Sequence, residues 1–139
     1  MSPPPSPPPA FAQQITFLYA EDPAACRHFY GTVLGLELVQ DQGFAAIYAV
    51  GGHRGFLGVV QARGPREVTD PRREGGVVVT LVTPEVDAWH DHLAAAGIAL
   101  EAPPRHAAAM GITHFFFRDP AGYLLEIQRF DRPDWPPPG

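Results

Sequence analysis

The sequence predicts one α+β domain made of two βαβββ modules, whose eight mostly antiparallel strands form a cup-shaped sheet. The 139-residue chain is long enough for one compact domain and too short for two ordinary ones. Hydrophobic residues make up 45% of it and charged residues 18%, so the chain can fill a core and is not of the disordered class. The same order of a strand, a helix and three strands occurs twice, which predicts the two modules.

Module one is predicted to span residues 13–62 and to begin with a strand over 15–20, an apolar run rich in β-branched and aromatic residues. Asp22 and Pro23 are a typical N-cap and first helical residue, and Gly35 ends the helix. Apolar residues recur at helical spacing between these signals, at Cys26, Phe29, Tyr30, Val33 and Leu34. Three strands follow, at about 36–39, 44–50 and 56–61, with turn signals between them.

Module two, over residues 76–130, repeats this order with a strand at 77–82, a helix starting at Thr83-Pro84 and a helix end at Gly97. The helical stripe is formed by Val86, Trp89, Leu93 and Ala96. Three strands are expected near 98–101, 112–118 and 123–130. The helix-ending glycines and the first strands recur at the same interval, so the sequence favours a duplicated pattern.

Three further segments connect or flank the modules. Residues 63–75 are expected to be a solvated linker. Residues 1–12 and 131–139 are proline-rich, and proline fixes φ and removes a backbone donor, so extended and poorly ordered tails are expected. Docking of these tails on a proline-recognising domain is the alternative.

Charge and composition exclude several classes of partner. The net charge is −5 and no basic stripe occurs, so no nucleic-acid partner is expected. No run of 18 apolar residues predicts a membrane span, and the first residues lack the pattern of a secretory signal, so the expected location is the cytoplasm. The single cysteine, Cys26, excludes an internal disulfide and lies on an apolar stripe, where it is expected to be buried.

A sheet with its helix on one side has a second face that must be buried, exposed or used to enclose a ligand. Two such sheets that curl toward each other would form a cup for a small molecule. Strand alternation places the following residues on the cup face beside Glu126: Ile15, Phe17, Tyr19, Val78, Thr80, His114, Phe116 and Arg118. The other register would point Phe115 and Phe117 inward, and in either register the aromatic residues could simply fill the space between the sheets.

Two stretches carry a family resemblance. Phe29-Tyr30-Gly-Thr-Val-Leu-Gly35-Leu36 resembles the "FY…LG" passage of the vicinal oxygen chelate superfamily, which includes glyoxalase I, extradiol dioxygenases and bleomycin-binding proteins. Asp119-Pro-Ala-Gly-Tyr-Leu-Leu-Glu126 is similar to the "DP-x-G-x-x-x-E" hairpin of the same superfamily. The resemblance covers about residues 14–130. It implies the glyoxalase-like fold and a homodimer.

The resemblance also implies where a metal ion would be held, since the metal enzymes of this superfamily have His, Gln or Glu ligands on the first and last strands of each module. Glu126 matches one such position. Ile15 and Val78 stand where two others are expected, and residues 58–60 offer no donor at the fourth. A shift of one residue would substitute Gln14 for Ile15. The cofactor is therefore left open between none and a divalent metal held by Glu126, with His114 as a further ligand.

Three functions are compatible with the sequence. The first is a small-molecule-binding protein that holds a hydrophobic or planar organic ligand in an apolar cup without a complete metal site. The second is a metal-dependent lyase or dioxygenase, with Glu126 as metal ligand or general base and His114 beside it as a second catalytic candidate. The third is an interaction domain, for which only the proline-rich tails argue. The fold by itself does not choose between an enzyme and a binding protein.

Overall fold

The computed structural model describes residues 5–139, so the first four residues of the proline-rich N-terminal tail lie outside the described chain. Module one contains strand β1, helix α1, a π-helical turn and strands β2 to β4. Their bounds are β1 Gln14–Ala20, α1 Pro23–His28, the π-helical turn Phe29–Val33, β2 Glu37–Asp41, β3 Ala45–Val50 and β4 Gly55–Gln61. The Asp22 carboxylate accepts a hydrogen bond from the Ala25 amide at 3.2 Å and caps α1.

Module two follows a linker that contains the short helix α2. The bounds are α2 Pro71–Glu74, β5 Val79–Val82, α3 Val86–Ala95, β6 Arg105–Ala107, β7 Ile112–Arg118 and β8 Leu124–Phe130. Over residues 5–139, none of the helices has the length and apolar character needed to cross a membrane.

The structure corrects the position of two predicted elements. The strand expected near 98–101 lies instead at Arg105–Ala107, and Leu100 makes only an isolated bridge to Phe117. A tight turn causes this shift, because Gly111 adopts a φ of 65° and brings β6 back against the start of β7. Helix α3 begins at Val86 rather than Pro84, since the Thr83 hydroxyl accepts the Glu85 amide in the preceding turn at 3.1 Å.

The eight strands form two four-stranded sheets rather than one continuous sheet. Sheet one has the order β1-β4-β3-β2 and sheet two the order β5-β8-β7-β6. In each sheet the first and last strands of the module pair in parallel, and the other neighbours are antiparallel. This is the expected α+β architecture of two βαβββ modules with mostly antiparallel pairing.

The core lies between the two modules, and residues of both contribute to one buried cluster. Phe29, at the end of α1, packs against Phe117 of β7 with ring centroids 6.2 Å apart. His92 of α3 approaches the Val33 carbonyl of the π-helical turn, with 2.7 Å between Nε2 and the oxygen. The helical segments of the two modules therefore meet each other between the sheets.

This arrangement leaves the second face of each sheet directed away from the shared core. We call these surfaces open face one and open face two. On β1 the side chains alternate, so Leu18 is buried in the core while Phe17 on open face one is 47% exposed. The cup expected from the sequence is thus not closed within one chain, because the two open faces do not pack against each other.

Candidate functional site

Open face two carries the polar residues that the sequence singled out. Strand register places the following side chains on it: Thr80 and Val82 of β5, Leu124, Glu126, Gln128 and Phe130 of β8, and Ile112, His114, Phe116 and Arg118 of β7. Phe115 and Phe117 point to the opposite side, into the core. The structure therefore has the first of the two registers that the sequence allowed.

Glu126 is the centre of a hydrogen-bonded cluster on this face. Thr80 donates its hydroxyl to Oε1 at 2.8 Å, and Nδ1 of His114 lies 2.5 Å from Oε2. The Gln128 amide, with its nitrogen turned toward Glu126, lies 3.2 Å from Oε1 and 3.3 Å from Oε2. Glu126 is only 9% exposed, so these donors replace much of the water that the carboxylate loses. We call Thr80, His114, Glu126 and Gln128 the Glu126 cluster.

The hydrogen bond to Glu126 determines which ring nitrogen of His114 stays available to a ligand. A carboxylate can only accept hydrogen bonds, so the proton between the two side chains belongs to Nδ1 of His114. In the neutral ring, Nε2 then keeps its lone pair. The ring of His114 is further held by an edge-on contact with Phe116, with centroids 5.2 Å apart. In its neutral form, His114 thus adds an acceptor nitrogen beside the Glu126 carboxylate.

The linker covers one side of open face two, which the sequence did not predict. Arg72 lies over the ring of Phe116, 4.6 Å from its centroid, and makes two hydrogen bonds of 2.8 Å to the Glu101 carboxylate. Asp70 also pairs with Arg72 at 3.0 Å. Arg118 donates to the Thr69 carbonyl at 3.0 Å. These contacts make the linker a wall of the face rather than a fully solvated connection.

Open face one is apolar along β1, β3 and β4, and within residues 5–139 it has no counterpart of the Glu126 cluster. Ile15, Phe17 and Tyr19 are 42%, 47% and 49% exposed on β1. Gly58 pairs with Phe17 in the register, and the ring of Phe17 occupies the space where a side chain at Gly58 would stand. Gln14 alternates with Ile15 and donates to the Thr16 hydroxyl at 2.7 Å, so it lies on the other side of the strand.

A divalent metal ion usually needs three or four protein ligands with well-defined geometry. Open face two offers one carboxylate and one imidazole, and these are bonded to each other. Val78 lies just before β5 and, like Ile15 on the other face, has no donor atom in its side chain. Across residues 5–139, no group of three His, Cys, Asp or Glu side chains could hold a metal ion. The donors of one chain therefore do not fit a centre of three or four side-chain ligands.

Three residues near the site were missed by sequence reasoning. Gln128 could have been found, because it lies two residues after Glu126 and so on the same face. Arg72 and Trp135 gave no local signal, since a linker and a proline-rich tail bring them to the sheet. Cys26 is buried as expected, and desolvation raises the pKa of its thiol to about 12, which makes it a poor nucleophile.

Comparisons with known proteins agree with this architecture. The chain resembles the structure of a lactoylglutathione lyase from Agrobacterium tumefaciens at 26% identity, over 94% of this chain and 100% of that one, with a TM-score of 0.69. A glyoxalase/bleomycin resistance protein/dioxygenase from Nocardioides is 21% identical over 95% of this chain and 91% of that one, with a TM-score of 0.67. The structure of TioX from Micromonospora sp. ML1 is 22% identical over 86% of this chain and 99% of that one, with a TM-score of 0.69.

A search of curated protein sequences gave no match. The family model of the Glyoxalase/Bleomycin resistance protein/Dioxygenase superfamily matches residues 12–127, which is most of the chain. The match includes module one, nearly all of module two and both motifs, from the Phe-Tyr helix end to Glu126. The chain therefore belongs to the glyoxalase/bleomycin resistance protein/dioxygenase superfamily.

Proposed function

We propose that this protein binds a planar, largely apolar organic molecule on open face two, with the Glu126 cluster as the polar anchor. The observation that carries the proposal is a nearly buried carboxylate held by Thr80, His114 and Gln128 on a face otherwise rich in apolar side chains. Apolar walls with a few well-placed polar groups are typical of sites for organic ligands.

The environment of Glu126 also indicates the kind of group that it would bind. No lysine or arginine forms an ion pair with Glu126 within residues 5–139, where its basic contact is the imidazole of His114. Desolvation of a carboxylate is costly, and a ligand that brings an N–H donor or a positive charge would offset that cost. The favoured ligand is therefore a flat molecule with an amine or other hydrogen-bond donor.

We propose further that the cup closes between two copies of the chain. Open face one of one copy would cover open face two of its partner, and the symmetric contact would form a second time. The half-exposed Ile15, Phe17 and Tyr19 support this proposal, because an apolar patch of this kind often marks an interaction surface. Each of the two sites would then have an apolar wall from one copy and an anchor from the other.

The test of the binding function uses proflavine, a flat three-ring aromatic diamine that is cationic at neutral pH. We expect saturable binding by the wild-type protein. The dissociation constant should be about tenfold higher for Glu126→Gln, since hydrogen bonds to a charged group contribute more binding free energy than neutral ones. Isothermal titration calorimetry measures both values, and thermal melting checks that the variant is folded.

The matched control is Asp91→Asn, which removes the same charge from an exposed side chain of α3 that is paired with His90. If both variants weaken proflavine binding equally, the effect comes from net charge and Glu126 is not the anchor. If the wild-type protein does not bind the dye, the proposed function is wrong for this class of ligand.

A second candidate is a metal-dependent lyase or dioxygenase that uses Glu126. It is favoured by the similarity to the lactoylglutathione lyase, which extends over nearly the whole chain. Plasma mass spectrometry of the purified protein, with an assay of lactoylglutathione lyase activity before and after addition of Ni²⁺ or Zn²⁺, distinguishes the two candidates. A near-stoichiometric metal together with activity would support the enzyme and contradict metal-independent binding.

A further inference from the structure

The C-terminal segment 131–139 is held against the end of open face two. The Asp131 amide donates to the Gly111 carbonyl at 2.8 Å, and the Arg132 side chain packs over Gly111. Arg132 also pairs with Asp134 at 3.2 Å. These contacts direct the chain back toward the sheet directly after β8.

Trp135 then stacks on Phe130, with ring centroids 3.8 Å apart and planes within 9° of parallel. Phe130 belongs to open face two, because it follows Glu126 and Gln128 at two-residue intervals along β8. One face of the indole is covered by Phe130, yet Trp135 remains 52% exposed. A flat aromatic surface is therefore presented to solvent at the end of the face that carries the Glu126 cluster.

The last prolines continue across this end of the sheet. The C-terminal segment and the β5–α3 junction border a cavity of about 660 Å³. Its lining includes Val82, Thr83, Phe130, Trp135 and Pro136. At the terminus, Gly139 lies beside Arg54, in the turn before β4 of module one. The segment thus spans from sheet two to module one.

We propose that the segment 131–139 is the end wall of the ligand site and that Trp135 stacks on the aromatic part of the ligand. This inference rests on the proposed function and extends it to a residue outside the family match, which ends at residue 127. A stacked pair that is already formed loses little conformational freedom when a ligand ring is added to it.

The separation between Phe130 and Glu126 also restricts the length of the ligand. Phe130 lies four residues beyond Glu126 on β8, which corresponds to about 14 Å along an extended strand. A molecule that contacts Trp135 and bonds to Glu126 must therefore be longer than a single ring, with its aromatic part at the indole. Its hydrogen-bond donor would lie at the end remote from the indole.

The experiment titrates proflavine into the wild-type protein, Trp135→Ala and Trp135→Phe. We expect the dissociation constant to rise roughly three- to tenfold in Trp135→Ala, as for loss of one aromatic contact. It should return toward the wild-type value in Trp135→Phe. The matched control is Phe11→Ala, which removes a fully exposed aromatic residue from the other end of the chain. Equal affinities of Trp135→Ala and Phe11→Ala would overturn the inference.

Fluorescence gives a second readout. The chain has two tryptophans, so Trp89→Phe leaves Trp135 as the single tryptophan. We expect proflavine to quench the emission of Trp135 with the dissociation constant found by calorimetry, and unquenched emission at saturation contradicts the inference.

If Glu126→Gln weakens binding but Trp135→Ala does not, this inference is wrong and the proposed function stands. If the wild-type protein does not bind proflavine, both are wrong.

Discussion

At the scale of single residues, one buried contact joins the two motifs through which the sequence resembles its family. The Tyr30 hydroxyl donates to Oδ2 of Asp119 at 2.6 Å. Oδ1 of Asp119 accepts the amides of Ala121 and Tyr123, both at 2.9 Å. Burial raises the pKa of Asp119 even though these donors favour its charged form. Tyr30 is fully buried, and desolvation raises the pKa of its hydroxyl as well.

Removal of this hydroxyl in Tyr30→Phe should lower the free energy of unfolding by about 1–3 kcal/mol at neutral pH, since a buried carboxylate loses a donor. The Tyr30 hydrogen bond lowers the pKa of Asp119, so this pKa should rise further in the variant. The loss should therefore shrink as the pH falls through this pKa, because the protonated carboxyl group needs the donor less. Urea unfolding at neutral and acidic pH measures both effects.

Tyr48→Phe is the control for this experiment, because the buried Tyr48 makes only a long hydrogen bond of 3.4 Å to the Arg27 carbonyl. Tyr48→Phe should lower the free energy of unfolding by less than Tyr30→Phe does, and this smaller loss should not depend comparably on pH. The same loss for Tyr30→Phe at both pH values would show that the hydrogen bond to ionised Asp119 is not the cause.

At the scale of elements, the end of helix α1 shows how the module turns from helix to strand. The Leu34 amide donates to the Phe29 carbonyl at 2.8 Å, five residues back, which is the spacing of a π-helical turn. Phe29 and Tyr30 are consecutive and both buried, with their rings edge to face at 5.1 Å. Gly35 ends the turn with a φ of 68°, a conformation that favours glycine.

Gly35→Ala should therefore lower the free energy of unfolding by about 1 kcal/mol, because alanine is strained at this φ. Thermal or urea unfolding measures the change. Gly64→Ala is the control, since Gly64 has neither a positive φ nor an atom within 4 Å of its added Cβ. If the two variants have equal stability, the backbone at residue 35 does not need glycine.

At the scale of the whole molecule, the position of the core decides which surfaces are available. The helical segments and both inner sheet faces share one buried cluster, so both open faces lie outside it. Open face one has half-exposed apolar residues, whereas open face two carries the Glu126 cluster and is bordered by the linker and the C-terminal segment. In the proposed dimer, this difference between the modules is the reason that a second copy completes the cup.

The proposed dimer predicts a specific effect of Phe17→Asp. We expect the wild-type protein to sediment as a dimer and the variant as a monomer, because a charge in the centre of an apolar interface is costly to bury. Analytical ultracentrifugation measures the change. Phe44→Asp is the control, since Phe44 is 67% exposed in the turn before β3 and lies outside open face one. A wild-type monomer, or two variants that dimerise equally well, would contradict the proposed cup.

Much of the fold could be predicted because its signals are local. The N-cap Asp22, the helix end at Gly35 and the alternation along β7 each depend on neighbours within a few residues. The position of β6 could not be predicted, because it depends on the turn at Gly111 that pairs it with β7. Likewise, the contact between Asp119 and Tyr30 joins residues from different modules, and no local pattern reveals it.

The sequence by itself determined the two modules, the face on which Glu126, His114, Thr80 and Phe116 lie, and the absence of donor side chains at Ile15 and Val78. These follow from strand periodicity and residue chemistry. Only the tertiary structure decided that the helices lie between two separate sheets and that Arg72 and Trp135 reach open face two. The physical reason is that packing of one module on another, and the path of a linker or tail, depend on contacts between residues far apart in the chain.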